Sequence, residues 1–400
     1  MNFFKKLYCR AFQTAFKIAL PFLPYREPKI LKSNESVVAV LKTNNVENIL
    51  FVTDKGLTNL GLTKPLIETI TKANIKISIF DDVVPNPTSD NVENALNQYK
   101  KDRCSAIIAF GGGSVMDCAK ATGARVVYPK KSLAQMKGVM KVMRKLPTII
   151  AVPTTAGTGS ETTLAAVITD SETRHKYAIN SFPLIPEFAL LDASLTTGLP
   201  KHITSTTGMD ALTHAIEAYI GRSTTKQTRA CAKKAVKLIF ENIEEAYNNG
   251  KNLEARENML IASYNAGLAF TKSYVGYVHA IAHSLGGKYN IAHGLANAII
   301  LPIVLKKFGK SVHKKLWQLG VYAGLFDNSI SKEDGAKLFI EKIESLNNAM
   351  NINSSIPEIN ESDIPTLAKT AEHEANPLYP VPKLFSANEL EEIYYILKEK

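Results

Sequence analysis

Cysteine is scarce and scattered in this chain. Cys9, Cys104, Cys118 and Cys231 lie far apart and form no CxxC pair. That excludes a disulfide framework and a thiolate zinc site, and it suits a reducing compartment such as the cytoplasm. No zinc-finger, basic-zipper or RNA-binding motif is present, which argues against a nucleic-acid partner despite a net charge of +11. No internal repeat or low-complexity tract occurs. Charged residues make up 21% and hydrophobic residues 45% of the 400 positions, the ordinary range of folded globular chains.

The positive charge is unevenly spread. Residues 1–32 carry Lys5, Lys6, Arg10, Lys17, Arg26, Lys29 and Lys32 against the single Glu27, a surplus of six. Within them Phe3, Phe4, Leu7, Ala11, Phe12, Ala15, Phe16 and Ala19 recur at spacings of three and four, a helical pattern that Pro21 and Pro24 end. Lysine and arginine interrupt it before about 18 apolar residues accumulate, so it is no transmembrane span. Lys17 inside the apolar run, with no small-residue cleavage site, also argues against a signal peptide. The expectation is a helix packed on the protein's own body or on a partner subunit. Peripheral membrane contact through its basic face is the alternative.

The remaining length suggests two domains. From 31 to 200, short apolar runs at 49–54, 76–80, 104–110, 146–152 and 188–192 alternate with helical patterns at 60–73 and 92–100. Such alternation predicts a parallel sheet covered by helices on both faces. After Pro200 long helical patterns dominate, at 208–219, 226–248, 253–270 and 276–285, so 201–400 is expected to be a helical domain. Residues 1–30 then stand as a basic amphipathic extension.

Two loops point to a dinucleotide. The third strand runs into Gly111-Gly112-Gly113-Ser114, with a helix expected from about Val115 and Ser114 as its N-cap. Glycines let a ligand approach the backbone, and a helix start offers free N–H groups to a pyrophosphate. The motif departs from GxGxxG. A second loop, PTTAGTGSE at 153–161, follows the next strand, and loops at the carboxyl ends of adjacent parallel strands converge on one crevice. Asp54 closes the first strand at the same edge. Its carboxylate suits the ribose hydroxyls of NAD and repels the 2′-phosphate of NADP, or else it caps the following helix.

Histidine supplies the strongest chemistry. Asp210 and His214 are four apart and share a helix face, as do His279 and His283. Gly286-Gly287 is expected to interrupt that helix and let His293 fold back. One carboxylate with several imidazoles suits Fe, Zn, Ni, Co or Mn. His175, His202, His313 and His373 lie apart from this cluster and are read as structural or surface residues.

The stretch GYVHAIAHSLGGKYNIAHG at 276–294 resembles the fingerprint of the iron-containing (group III) alcohol dehydrogenases. The similarity runs from about Glu27 to Leu305 through VTDKGL (52–57), VVPNPT (83–88), GGGSVMD (111–117), PTTAGTGSE (153–161) and GMDALTHAIEA (208–218), and thins after Pro302. The resemblance implies a Rossmann-like NAD-binding α/β domain followed by an all-α domain, in a dehydroquinate synthase-like architecture with catalysis in the cleft. It implies Asp210, His214, His279 and His293 as metal ligands, with Fe(II) ahead of Zn(II), and His283 as a non-ligand histidine beside the nicotinamide that could relay a proton. It further implies cofactor contacts from Gly112, Gly113, Ser114, Asp117, Thr154, Thr155 and Thr158, Asp54 at the adenosine ribose and Lys176 near the nicotinamide ribose. Phe270 falls where relatives line the substrate pocket. The activity implied is reversible hydride transfer between a small primary alcohol or aldehyde and NAD, in a cytoplasmic homodimer or larger oligomer.

Two positions depart from the family pattern. Leu378 follows Asn376-Pro377 where relatives often carry Arg, and Ala165-Ala166 stand where some relatives place a polar residue. Both lean toward simple alkanols or aldehydes over polyols. A glycerol or other polyol dehydrogenase, and a lyase of the dehydroquinate-synthase type, are the alternatives.

Overall fold

The structure, a computed structural model, describes residues 1–399. The chain divides into two compact units, Pro24–Gly198 and a second made of Met1–Leu23 together with Leu199–Lys400.

The first unit is built on a six-stranded sheet with every pairing parallel. Its spatial order is Lys29–Leu31, Phe188–Leu190, Thr148–Pro153, Ala106–Gly111, Asn48–Val52 and Lys76–Phe80. Side chains alternate across a strand, so each run feeds two cores. Leu50, Val52, Ile107, Ala109, Ile149 and Ala151 pack one face against Val92, Ala95, Val115 and Ala119. Ile49, Phe51, Ile108, Phe110, Ile150 and Val152 pack the other against Val37, Leu41, Leu66 and Ile70. Burial on both faces explains why these strands read as continuous apolar runs.

Several boundaries differ from the sequence expectation for local reasons. The helix predicted at 60–73 is shorter, Lys64–Lys72 with proline in its first turn, and a separate short helix, Lys55–Asn59, precedes it. A small mixed sheet of Gly138–Val139, Lys176–Asn180 and Ala165–Thr169, unforeseen in the sequence, joins the unit. Ser114 does not cap the following helix. That helix spans Gly113–Val127 with Gly112 as its N-cap, because the glycines let the chain turn directly out of the strand.

The second unit is helical. Lys201–Ile220 and Leu253–Ser273 are buried along most of their length and carry small residues where they meet neighbours. A Cβ on Gly208 would stand 2.7 Å from Ile243 Cδ1, which shows how closely these helices approach. Gly286-Gly287 do not interrupt their helix, which runs Tyr277–Tyr289. Two glycines cost about 1 kcal/mol each against alanine, too little to break a helix whose inner face is buried. The helix stops instead at Asn290, in the left-handed conformation at φ 56°, and His293 opens the next helix, His293–Phe308.

Candidate metal centre and cofactor loops

Three helices of the second unit place four donors together. Asp210 and His214 face inward from Lys201–Ile220, His279 from the first turn of Tyr277–Tyr289, and His293 from the start of His293–Phe308. One donor atom from each lies within 4.8 Å of all the others. Asp210 Oδ1 is 3.5 Å from His293 Nε2 and 3.9 Å from His279 Nε2. Gly294 permits this approach, since a Cβ there would meet the Thr206 carbonyl oxygen at 2.4 Å.

The chemistry of the group suits a divalent metal. Burial holds the His279 imidazole far below its ordinary range and brings His293 down to about 4. Both are therefore neutral near pH 7, the form that ligates. Asn297, one turn beyond His293, donates Nδ2 to Asp210 Oδ1 at 2.7 Å and lies 3.1 and 3.3 Å from Nε2 of His293 and His279. The lone pairs of both rings thus turn toward the same point as the carboxylate.

Glu217 was not singled out in the sequence. It is buried, and its Oε2 sits 2.7 Å from His279 Nδ1. The same carboxylate accepts the backbone N–H groups of Gly276 and Val278, each at 2.8 Å. It therefore caps the helix that carries His279 and fixes the proton on Nδ1, leaving Nε2 for a metal. A Cβ at position 276 would lie 2.6 Å from Glu217 Oε1, so glycine is required there. The spacing Asp210, His214, Glu217 (i, i+4, i+7 on one helix face) was the available signal.

Phe270 stacks on His214 with ring centroids 4.0 Å apart and an interplanar angle of 11°, which puts its apolar ring at the metal group. His283 stacks on His293 at 5.1 Å, and its Nδ1 lies 2.6 Å from Glu374 Oε1. Desolvation by its neighbours disfavours the charged ring, but the carboxylates of Glu374, Asp210 and Glu217 together outweigh it and hold His283 above its usual range. Glu374 also accepts from the Tyr379 hydroxyl at 2.8 Å.

The two glycine-rich loops, 111–114 and 153–161, lie at the carboxyl edge of the parallel sheet in the first unit. Gly111 leaves no room for a Cβ beside Val115, and a Cβ on Gly113 would meet Thr158 at 3.0 Å, so the 153–161 loop rests directly on the helix start. Thr154 is buried and its N–H bonds to the Gly111 carbonyl, while Thr155 lies beside Gly112. Asp117 accepts from Ser160 Oγ and from the Val167 N–H, both at 3.1 Å. Burial pushes its carboxyl up to about 6, against the pull of Lys120. Lys176 donates to Asn86 Oδ1 at 2.9 Å, and Asn86, Ser114, Asp117 and Lys176 border one small hollow. Asp54 caps the helix Lys55–Asn59 by accepting the Leu57 N–H at 3.0 Å.

Lys120, also missed in the sequence, anchors this loop. It is fully buried in the helix Gly113–Val127, and Nζ donates to the carbonyls of Ser160, Thr163 and Ala165 and to the hydroxyls of Ser160 and Thr163, at 2.6–3.1 Å. Burial lowers its ammonium to about 8, with Asp117 and Glu161 opposing. A lysine three residues after Asp117 in an otherwise apolar helical run was the only hint.

Comparison with known proteins matches both units. A family model described as iron-containing alcohol dehydrogenase covers residues 30–193, and one described as Fe-containing alcohol dehydrogenase family, C-terminal, covers 204–397. The chain is 38% identical over 349 residues to a 1,3-propanediol dehydrogenase of Citrobacter freundii, spanning 86% of this chain and 90% of that protein. It is 36% identical over 333 residues to an NAD-dependent methanol dehydrogenase of Bacillus methanolicus, spanning 83% and 87%. The solved structure of a 1,3-propanediol oxidoreductase superposes with a TM-score of 0.88 at 35% identity, covering 93% of this chain and 97% of that one.

Proposed function

The chain belongs to the iron-containing alcohol dehydrogenase family, and on that footing we propose that it interconverts small primary alcohols and their aldehydes. It is an oxidoreductase acting on CH–OH groups, with NAD(H) as hydride carrier and a divalent metal, Fe(II) ahead of Zn(II). The convergence of Asp210, His214, His279 and His293 on one point carries this reading.

These four residues would hold the metal, which when bound supplies the Lewis acidity that favours the alkoxide form of an alcohol. NAD, when bound, would supply the hydride acceptor, and the proton of the alcohol hydroxyl must go to a base. We assign that proton to His283. Its Nδ1 is engaged by Glu374, so Nε2 is the nitrogen that takes up and returns the proton. Phe270 gives the substrate an apolar wall on the His214 side. Ala165 brings no side-chain donor or acceptor, which supports alkanols over polyols, whereas Ala166 is fully buried in the core of the first unit and bears on neither.

Gly112, Gly113, Ser114, Thr154, Thr155 and Thr158 would meet the cofactor phosphates, and Asp117 and Lys176 the nicotinamide side. Asp54 would accept the adenosine ribose hydroxyls with the oxygen that its capping bond leaves over. A homodimer or larger oligomer in the cytoplasm completes the proposal. All four cysteines are free, and among the described residues no helix is long and apolar enough to cross a membrane. The test is NADH formation by Fe(II)-loaded protein with a panel of short alcohols and with glycerol. Turnover of glycerol in preference to the alkanols would overturn the substrate assignment.

A further inference from the structure

The apolar stripe of the first helix is not the face that packs. The helix Phe3–Ala19, continued by the turn Leu20–Phe22, buries Cys9, Gln13 and Leu20 against the helical unit. The contacts there are specific and largely polar. The Arg10 guanidinium donates to the carbonyls of Val381 and Pro382 at 2.7 and 2.9 Å, and Gln13 Nε2 donates to the Tyr379 carbonyl at 2.8 Å. Ser223 Oγ donates to the Gln13 carbonyl, Lys5 pairs with Glu372 at 2.8 Å, and Phe16 meets Tyr274 edge-on. The helix is thus held in one rotation about its axis.

That rotation turns the other face outward. At 3.6 residues per turn, Phe4, Leu7, Ala11, Ala15 and Ile18 lie opposite Cys9, Gln13 and Leu20. Phe4 is 79% exposed, Leu7 57% and Ile18 66%; Phe3, Tyr8 and Phe22 are exposed beside them. A contiguous apolar surface of this kind on a folded chain marks an interaction site, whereas scattered exposed side chains would not. Lys6 and Lys17 lie together along one border of it, and no acidic residue occurs from Met1 to Arg26. An isologous contact with a second copy would bring these like charges together across the interface. Anionic headgroups instead complement them.

We propose that the outward face of Phe3–Phe22 is a reversible docking surface for an anionic lipid bilayer. Phe4, Leu7 and Ile18 enter the headgroup–acyl boundary, while Lys6 and Lys17 pair with lipid phosphates or carboxylates. The inner face stays bound to Val381, Pro382 and Tyr379, so the whole protein is carried to the surface with its fold unchanged.

Co-sedimentation of the full-length protein with phosphatidylcholine vesicles, and with equimolar phosphatidylcholine–phosphatidylserine vesicles, tests this. The wild type is expected to pellet with the serine-containing vesicles, weakly with the neutral ones, and to be released by salt. F4E combined with L7E is expected to weaken binding by at least about tenfold, and each of K6Q and K17Q by about fivefold. All variants should keep the wild-type circular dichroism spectrum and thermal midpoint, because these side chains make none of the docking contacts. Absence of pelleting, equal pelleting on both vesicles, or unchanged pelleting of F4E/L7E would overturn the proposal. Loss of a dimer in sedimentation velocity by F4E/L7E, with no vesicle binding by the wild type, would reassign the face to contact between copies.

Discussion

Replacing Glu217 by glutamine keeps the side chain's volume and removes its capacity to accept from every direction. In the native protein the carboxylate accepts two backbone N–H groups at 2.8 Å and faces His279 Nδ1 at 2.7 Å. A glutamine amide has one oxygen and one NH2, so the NH2 must point either at a backbone N–H or at Nδ1. Against Nδ1 it reverses the ring's polarity, and the imidazole proton moves to Nε2, the atom meant for the metal. Hydrogen bonds to a charged acceptor are worth about 1.5–3 kcal/mol each, and losing one at the helix start is expected to lower stability by roughly that amount. Loss of such an outer partner typically weakens metal binding about 10–100-fold. Burial pushes the Glu217 carboxyl up to about 7, so chelator competition with Fe(II) or Zn(II) should be run at mildly alkaline pH, where the carboxylate is charged. Gly276→Ala is expected to give the same phenotype by pressing a methyl group on Oε1. If Glu217→Gln loses thermal stability yet binds metal within about twofold of wild type, Glu217 is a helix cap and does not position His279.

The cofactor side gives a separable outcome. Lys120→Met strips the donor from three carbonyls and two hydroxyls of the 160–165 segment. NADH affinity measured by fluorescence titration should fall by about tenfold or more while metal affinity stays at the wild-type value. Equal NADH affinity would show that the loop holds its shape without Lys120. For proton transfer, Glu374 raises the pKa of His283, so Glu374→Gln lowers it. The alkaline limb of aldehyde reduction, which needs the protonated ring, should then move to lower pH in an initial-rate profile, and an unmoved limb would remove His283 from the relay.

Much of the site was legible because its chemistry repeats at helical spacing. Asp210 with His214, and His279 with His283, are four apart, and that alone places each pair on one face. Glu217 continues the first series at i+7, yet a glutamate in a helix is ordinarily solvated, and only its burial beside Gly276 reveals the role. Lys120 was hidden for the same reason, since the residue type says surface while its position says core. Gly286-Gly287 misled in the opposite sense, because intrinsic helix preference is weak beside the burial of Ile281, Ala282 and Leu285. The parallel sheet followed from its apolar runs, whereas the small sheet at 138–180 has strands of only two to five residues, too short for their alternating burial to stand out in the sequence. In the first helix the apolar period was plain, but polar bonds from Arg10 and Gln13, which no periodicity encodes, decide which face packs.

The most direct measurement compares wild type and Asp210→Ala, both prepared anaerobically with Fe(II), for bound iron and for NADH formation from NAD and a short primary alcohol. Wild type should retain iron and produce NADH, while Asp210→Ala should lose both and still bind NADH as the wild type does. An Asp210→Ala protein that turns over alcohol at the wild-type rate would contradict the assignment of this four-residue group as the metal centre on which the reaction depends.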